Sequence, residues 1–336
     1  MQRRHFLITV SATALALALA CNKPAGQPGG DAASGKPRIA IIPKGTTHEF
    51  WKSVHAGAVK ASQEANIDIV WKGPLKEDDL KSQIDLVDSF VAQGVTGIVL
   101  APLSDTAMRG SVKAAKAAKI PVVIMDSDLQ GTDHDSFVAT DNDAAGKMAG
   151  EEMARLLGDK GNVVVLRYQE GSASTFHREQ GFLDAIKAHP GITVVSSNQY
   201  AGATTETAFA TSESLLAAQK AAAGNVAGVF APNESSAFGM LLALRKAGLA
   251  GKIHFIGFDA SSKLVDALGT GDIDALVVQD PFRIGETALK TMAQVLAGQT
   301  VPRRIDTGAT LVTKANLADP AVASLLHPDL AKWLHE

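Results

Sequence analysis

Cysteine is almost absent from this 336-residue chain, and the single one, Cys21, rules out disulfide staples and Cys-based metal sites together. A charge excess is missing as well. With 32 basic and 35 acidic residues the balance is near neutral, which argues against nucleic acid or an acidic polymer as partner. The nine histidines form no His-Glu-x-x-His or comparable cluster, so no catalytic metal is expected. The first strand-to-helix turn, Pro43-Lys44-Gly45-Thr46-Thr47, lacks the Gly-x-Gly-x-x-Gly of a dinucleotide-binding enzyme. No apolar run after the N-terminal segment reaches the roughly 18 residues of a membrane span, and no solenoid-type repeat occurs. Nucleophile, base and orienter are nowhere arrayed together, so neither catalytic residues nor a cofactor is expected. What remains is 46% hydrophobic and 20% charged residues, an ordinary globular composition long enough for two domains.

Residues 1–21 read as an export signal. Arg3-Arg4-His5-Phe6-Leu7 heads an apolar run from Thr9 to Ala20, and the small Ala20 precedes Cys21. The pattern is similar to a twin-arginine signal fused to a lipobox, with Cys21 lipidated as the new N-terminus. Ala18 stands three before the cysteine where a lipobox usually carries leucine; a free thiol is the other reading of Cys21. Residues 22–36, rich in Pro, Gly and small polar residues, read as a flexible tether. The expected location is therefore outside the cytoplasm, on the periplasmic side or cell surface, with membrane attachment through a lipid anchor alone.

From Arg38 onward, ten short β-branched runs, the first at Arg38–Ile42 and the last at Ala275–Val278, alternate with helical patterns such as Phe50–Ala65 and Ala144–Leu157. Continuous apolar strands separated by helices imply parallel sheets covered on both faces. Ten strands exceed one comfortable sheet, so the expected fold is α/β, two doubly wound parallel-sheet lobes. Ligand groups should then follow the strands, and polar residues do: Lys44, Asp126-Ser127-Asp128, Asn233-Glu234, Asp259 and Gln279-Asp280. Any one of them can be a helix N-cap. Five across both halves suggest a cleft of carboxylates, amides and a few cations suited to a neutral polyhydroxyl ligand.

Several tracts, in order and spacing, resemble the type I periplasmic sugar-binding proteins of ABC importers, the ribose-binding group. They are Ile39-Ala40-Ile41-Ile42-Pro43-Lys44 through His48-Glu49-Phe50-Trp51, Ile120-Pro121-Val122-Val123-Ile124-Met125-Asp126, Thr140-Asp141-Asn142 and Arg178-Glu179-Gln180-Gly181-Phe182. Val229-Phe230-Ala231-Pro232-Asn233-Glu234, Gly257-Phe258-Asp259 and Val277-Val278-Gln279 extend the resemblance toward Lys314. It implies that Phe50 and Trp51 stack on a sugar ring. It also implies that Asp126, Arg178, Asn233, Asp259 and Gln279 hydrogen-bond its hydroxyls, with Lys44, His48 and Ser127 at the same site. A core role for Trp51 and a surface-helix role for Arg178 stand as alternatives. Implied partners are a small sugar or polyol and an ABC permease, with no nucleic acid, and the protein is expected to act as a monomer.

The chain departs from ribose binders at His48, where they carry asparagine, and at Ser127, where they carry arginine. The aromatic that the second lobe usually offers is missing near Gly202–Thr204. Trp71 is either a replacement ring or a buried structural residue. Ile42-Pro43-Lys44, Lys72-Gly73-Pro74 and Asp126-Ser127-Asp128 look like the autoinducer-two receptor branch, the second ligand class considered, although Thr175-Phe176-His177-Arg178 differs from it. A sugar-responsive repressor would begin with a DNA-binding module where this chain has its signal, and a sensor presenting a sugar to a chemoreceptor or kinase would use the same cleft. The resemblance implies hinge closure through crossings near Thr140–Asn142, Gln279–Pro281 and Gly308–Thr310. The lobes are expected at 37–140 plus 280–308 and at 141–279 plus 309–336. Leu317, Val322, Leu325, Leu326, Leu330 and Trp333 are expected to pack amphipathic tail helices on the second lobe, with a partner-binding surface as the other reading.

Overall fold

A computed structural model describes residues 35–334; the export signal, Cys21 and most of the tether lie outside the described residues. The chain begins β1 (Arg38–Ile42), α1 (Glu49–Ala65), β2 (Asp68–Trp71), α2 (Leu80–Ala92), β3 (Gly97–Leu100), α3 (Arg109–Ala117), β4 (Val122–Met125) and β5 (Ser136–Ala139). It crosses into α4 (Asn142–Leu157), β6 (Gly161–Arg167), α5 (Ala173–Ile186), β7 (Ile192–Tyr200), α6 (Thr205–Ala218) and β8 (Gly228–Phe230). α7 (Glu234–Lys246), β9 (His254–Phe258), α8 (Ser262–Thr270) and β10 (Ala275–Gln279) complete that run. It then returns as α9 (Pro281–Leu296) and β11 (Arg304–Asp306) and crosses once more into β12 (Ala309–Thr313), α10 (Pro320–Leu326) and α11 (Ala331–Leu334).

Each lobe is built on a six-stranded sheet, and the two share one strand order, β2-β1-β3-β4-β5-β11 and β7-β6-β8-β9-β10-β12. All the pairings are parallel except β10 with β12. The ten strands expected from the sequence are all present; two edge strands, the short and largely exposed β11 and the five-residue β12 with only Leu311 and Val312 as an apolar pair, are additional.

Alternation along each strand feeds a core on either face. Ile39, Ile41, Val99 and Val123 pack under α1 and α9, while Ala40, Ile42, Ile98 and Ile124 pack toward α2 and α3. The second lobe repeats this with Val164, Leu166 and Val229 on one face and Val163, Val165 and Phe230 on the other. Both faces are buried, so the strands read as unbroken apolar runs.

Two helix crossings are held at backbone contact by glycine. A Cβ on Gly57 of α1 would lie 1.9 Å from the Phe282 carbonyl oxygen, and one on Gly285 of α9 would lie 1.9 Å from that of Val54. In the second lobe, Gly146 of α4 and Gly181 of α5 sit the same way, their Cβ positions 2.0 Å from the Arg178 oxygen and 2.2 Å from the Asp143 oxygen. Arg178 is thereby carried on a helix packed backbone to backbone against α4.

The tail corrects one expectation. Val322 and Leu326 do join the second-lobe core, but Trp333 packs on Phe282 of α9, in the first lobe, with ring centroids 6.4 Å apart. Phe282 is a half-buried ring just beyond the β10–α9 crossing. No helix among the described residues is long and apolar enough to cross a membrane.

Because the obstacle at Gly285 is backbone and cannot rotate aside, Gly285→Ala should destabilise the chain by roughly 1–3 kcal/mol. Urea unfolding monitored by circular dichroism measures this, and an unchanged midpoint would show that α1 and α9 can separate freely.

Candidate ligand-binding cleft

The carboxyl ends of both sheets face one cleft, and corresponding positions in the two lobes supply its aspartates. Asp126 follows β4 and Asp259 follows β9, and each adopts a left-handed backbone, φ 62° and φ 67°. Each still donates its N–H to the neighbouring strand, Asp126 to the Val138 oxygen and Asp259 to the Val277 oxygen, both at 2.9 Å. A non-glycine residue held in this region costs on the order of 1–3 kcal/mol and persists only where its surroundings enforce it. Here the effect is to turn a carboxylate out of each sheet edge into the cleft.

Around Asp259 the second lobe is closely bonded. Its two oxygens accept from Gln279 Nε2 at 2.8 Å and from the Glu234 N–H at 3.0 Å. Arg178 is buried, not on the surface. Its Nε donates to Asn142 Oδ1 at 2.8 Å, its Nη1 donates to the Pro232 oxygen at 2.9 Å, and its guanidinium lies 4.0 Å from the centre of the Phe258 ring. Asn233 combines both readings given to it, capping α7 through the Ser236 N–H at 3.2 Å while lining the cleft. Two buried atoms here have no partner in the protein: Arg178 Nη2, a donor, and Gln279 Oε1, an acceptor.

In the first lobe Lys44 Nζ lies 3.4 Å from Asp126 and donates across the cleft to Ser174 Oγ at 3.0 Å and Ser172 Oγ at 3.2 Å. Phe50 meets Trp51 edge-on, with centroids 5.0 Å apart. Trp51 belongs to the first-lobe core and also lines the cleft, with its Nε1 donating to Glu77 at 2.6 Å. His48 Nδ1 lies 2.8 Å from the same carboxylate.

Of the expected site residues, Lys44, His48, Phe50, Trp51, Asp126, Arg178, Asn233, Asp259 and Gln279 line one cleft, and Ser127 does not. The Ser127 hydroxyl is fully buried and accepts the Ser174 N–H at 3.1 Å, so it spends its oxygen on the other lobe. Trp71 does not line the cleft either; it stacks on His55 with centroids 4.4 Å apart.

Glu77, Tyr168, Ser174 and Thr175 line the cleft without having been foreseen. Tyr168 directly follows β6, where the rule applied to the other strands would have found it, and it supplies the second-lobe ring missing near Gly202–Thr204. Glu77 sits in the loop before α2 and carries no such signal.

Residues 39–300 match the periplasmic binding protein domain family. A D-ribose/D-allose-binding protein of Pseudomonas aeruginosa is 31% identical over 296 residues, covering 83% of this chain and 89% of that protein. The chain belongs to the periplasmic binding protein family. It is also similar to a ribose import binding protein of Salmonella typhimurium, 28% identical over 94% of this chain and the whole of that one. A carbohydrate transporter solute-binding protein of Agrobacterium radiobacter, solved in complex with D-arabinose, is 34% identical with a TM-score of 0.82, covering 88% of this chain and all of that one.

In this periplasmic binding protein the lobes are drawn together by bonds that run in both directions. Tyr168 Oη donates to Glu77 at 2.6 Å, and Gln169 Nε2 donates to the Glu77 backbone oxygen at 3.1 Å. Glu234, at the start of α7, accepts the N–H groups of Glu49 and Phe50 at 3.2 Å each, capping α1 in the other lobe. Glu49 returns the arrangement, accepting the Ser262 N–H and hydroxyl at the start of α8, each at 2.9 Å. Each lobe thus caps a helix of its partner, a favourable setting for a carboxylate. The space left at the centre is small, about 20 Å³, yet more than the roughly 10–15 Å³ that one water needs.

The charges follow from this packing. Burial pulls the His48 imidazole down, but Glu77 outweighs it and holds the group at about 9. Burial raises Glu77, and His48, Lys44 and the Tyr168 hydroxyl overcome it, leaving the carboxyl at about 2. Burial lifts Glu234 to about 7 against the pull of His48, and it also raises Asp259 against Arg178.

With a folded value near 9 above an unfolded value near 6.5, His48 contributes stability that is complete below pH 6.5 and disappears as pH rises through about 9. The stability gap between the native protein and His48→Asn should therefore narrow from pH 6 to pH 9.5 in denaturant titrations. A gap of equal size at both would exclude a charged His48–Glu77 pair.

Proposed function

We propose that this chain is the extracytoplasmic binding component of an ABC importer, capturing a small neutral sugar by closure of its lobes and presenting the closed form to a permease. The observation that carries the reading is the unused donor and acceptor, Arg178 Nη2 and Gln279 Oε1, buried beside an array of carboxylates. A hydroxyl both donates and accepts, so a polyhydroxyl ligand satisfies the two at once.

Charge supports neutrality. Lys44, His48 and Arg178 face Glu77, Asp126 and Asp259, three against three, so neither a sugar acid nor an amine gains a net field. The similar proteins from Pseudomonas, Salmonella and Agrobacterium carry sugar names or hold a sugar, which agrees with this. Binding between lobes joined by three crossings requires no bond-breaking chemistry, and we assign none. Export through the Arg3-Arg4 signal, anchoring at Cys21 and action as a monomer belong to the same proposal.

Calorimetric titration with neutral pentoses, hexoses and polyols tests it. One of them should bind, and Asp126→Ala should weaken that binding by about 1.5–3 kcal/mol, the worth of a hydrogen bond to a charged group. An affinity untouched by Asp126→Ala would remove the ligand from this cleft.

A further inference from the structure

A second compartment of about 440 Å³ lies beside the cleft, within the roughly 300–1,000 Å³ of small-molecule sites. Phe50, Asp259 and Gln279 line both spaces, so the two adjoin across these three side chains. Its inner wall is polar, formed by Ser53 of α1, Glu234 of α7 and Gln279 of β10. Its outer wall comes from the tail and is mostly apolar, Leu325, Leu326, Pro328 and Leu330 with His327 among them.

That outer wall is not a loose end. Val322 and Leu326 anchor it in the second-lobe core, and Trp333 rests on Phe282 of the first lobe. Gln279, whose Oε1 has no partner in the protein, is one of the three side chains between the two spaces. One polar face and one apolar face match the two kinds of surface a sugar unit presents.

We infer that the ligand is a glycoside longer than one sugar ring, of disaccharide size. One ring lies between Asp126 and Asp259, and its substituent extends past Phe50 into the compartment walled by the tail. This rests on the sugar-binding reading above and names the size and class of its ligand.

The purified full chain, titrated calorimetrically with monosaccharides and with their disaccharides and methyl and phenyl glycosides, decides it. A glycoside should bind at least about tenfold more tightly than its parent sugar. Leu330→Trp, which fills the compartment, should abolish that advantage and leave the parent sugar within about twofold. Leu330→Ala, which keeps the space open, should retain it, and melting curves for both variants check that they fold. Equal or tighter binding of the monosaccharide, or equal loss of both ligands in Leu330→Trp, overturns the extended ligand and leaves the sugar site standing. Silence toward sugars of every size overturns the sugar reading, and this inference with it.

Discussion

A carboxylate sealed between two lobes must find its partners on both of them, and the closed arrangement turns on how Glu77 does so. His48 and Trp51 reach it from the first lobe and Tyr168 from the second, at 2.6–2.8 Å. An isolated charge at that depth would cost several kcal/mol, so the second lobe cannot leave without water taking its place. The swapped helix caps at Glu49 and Glu234 obey the same logic, since each carboxylate gives up its solvent for backbone donors that the opposite lobe provides. Closure is thus a set of exchanges in which solvated groups in the open form trade water for the partner lobe.

That exchange requires rigid lobes, and the sequence supplies rigidity with very small residues. Gly57 with Gly285 and Gly146 with Gly181 let helix backbones touch, which fixes α1 and α5, the two helices that carry Phe50 and Arg178 into the cleft. The shared strand order adds a second economy. The same post-strand position in each lobe bears an aspartate in the same strained backbone, so one local device used twice lines both walls.

Much of this is legible in the chain itself. Strands buried on both faces announce themselves as unbroken apolar runs, and their carboxyl ends point to Lys44, Asp126, Asn233, Asp259 and Gln279 without any knowledge of tertiary contacts. Glu77 could not be read that way. Its role comes from a loop folded back over the cleft and from partners as distant as Tyr168, and neither leaves a periodic trace. Ser127 misled for the opposite reason: it occupies the right position, but its hydroxyl is claimed by the Ser174 N–H of the other lobe. Edge strand β11 escaped because an exposed strand needs no apolar pattern, and β12 because its Leu311 and Val312 are flanked by threonines in so short a run. Trp333 meets Phe282 of the first lobe, and amphipathicity alone does not say which lobe a tail helix will cover.

The position of α9 has a temporal consequence. Ile284, Leu289 and Met292 close the core of the first lobe, and β11 completes its sheet, yet all of them follow the whole of β6 to β10 in the chain. During synthesis at about 5–20 residues per second, the lobe begun first waits on the order of ten seconds for its last helix. The second lobe, nearly continuous in sequence and short only of one edge strand and the tail, can mature inside that interval. The nascent N-terminal half therefore spends its early life with an uncovered apolar face, and it is there that a chaperone has the most to hold.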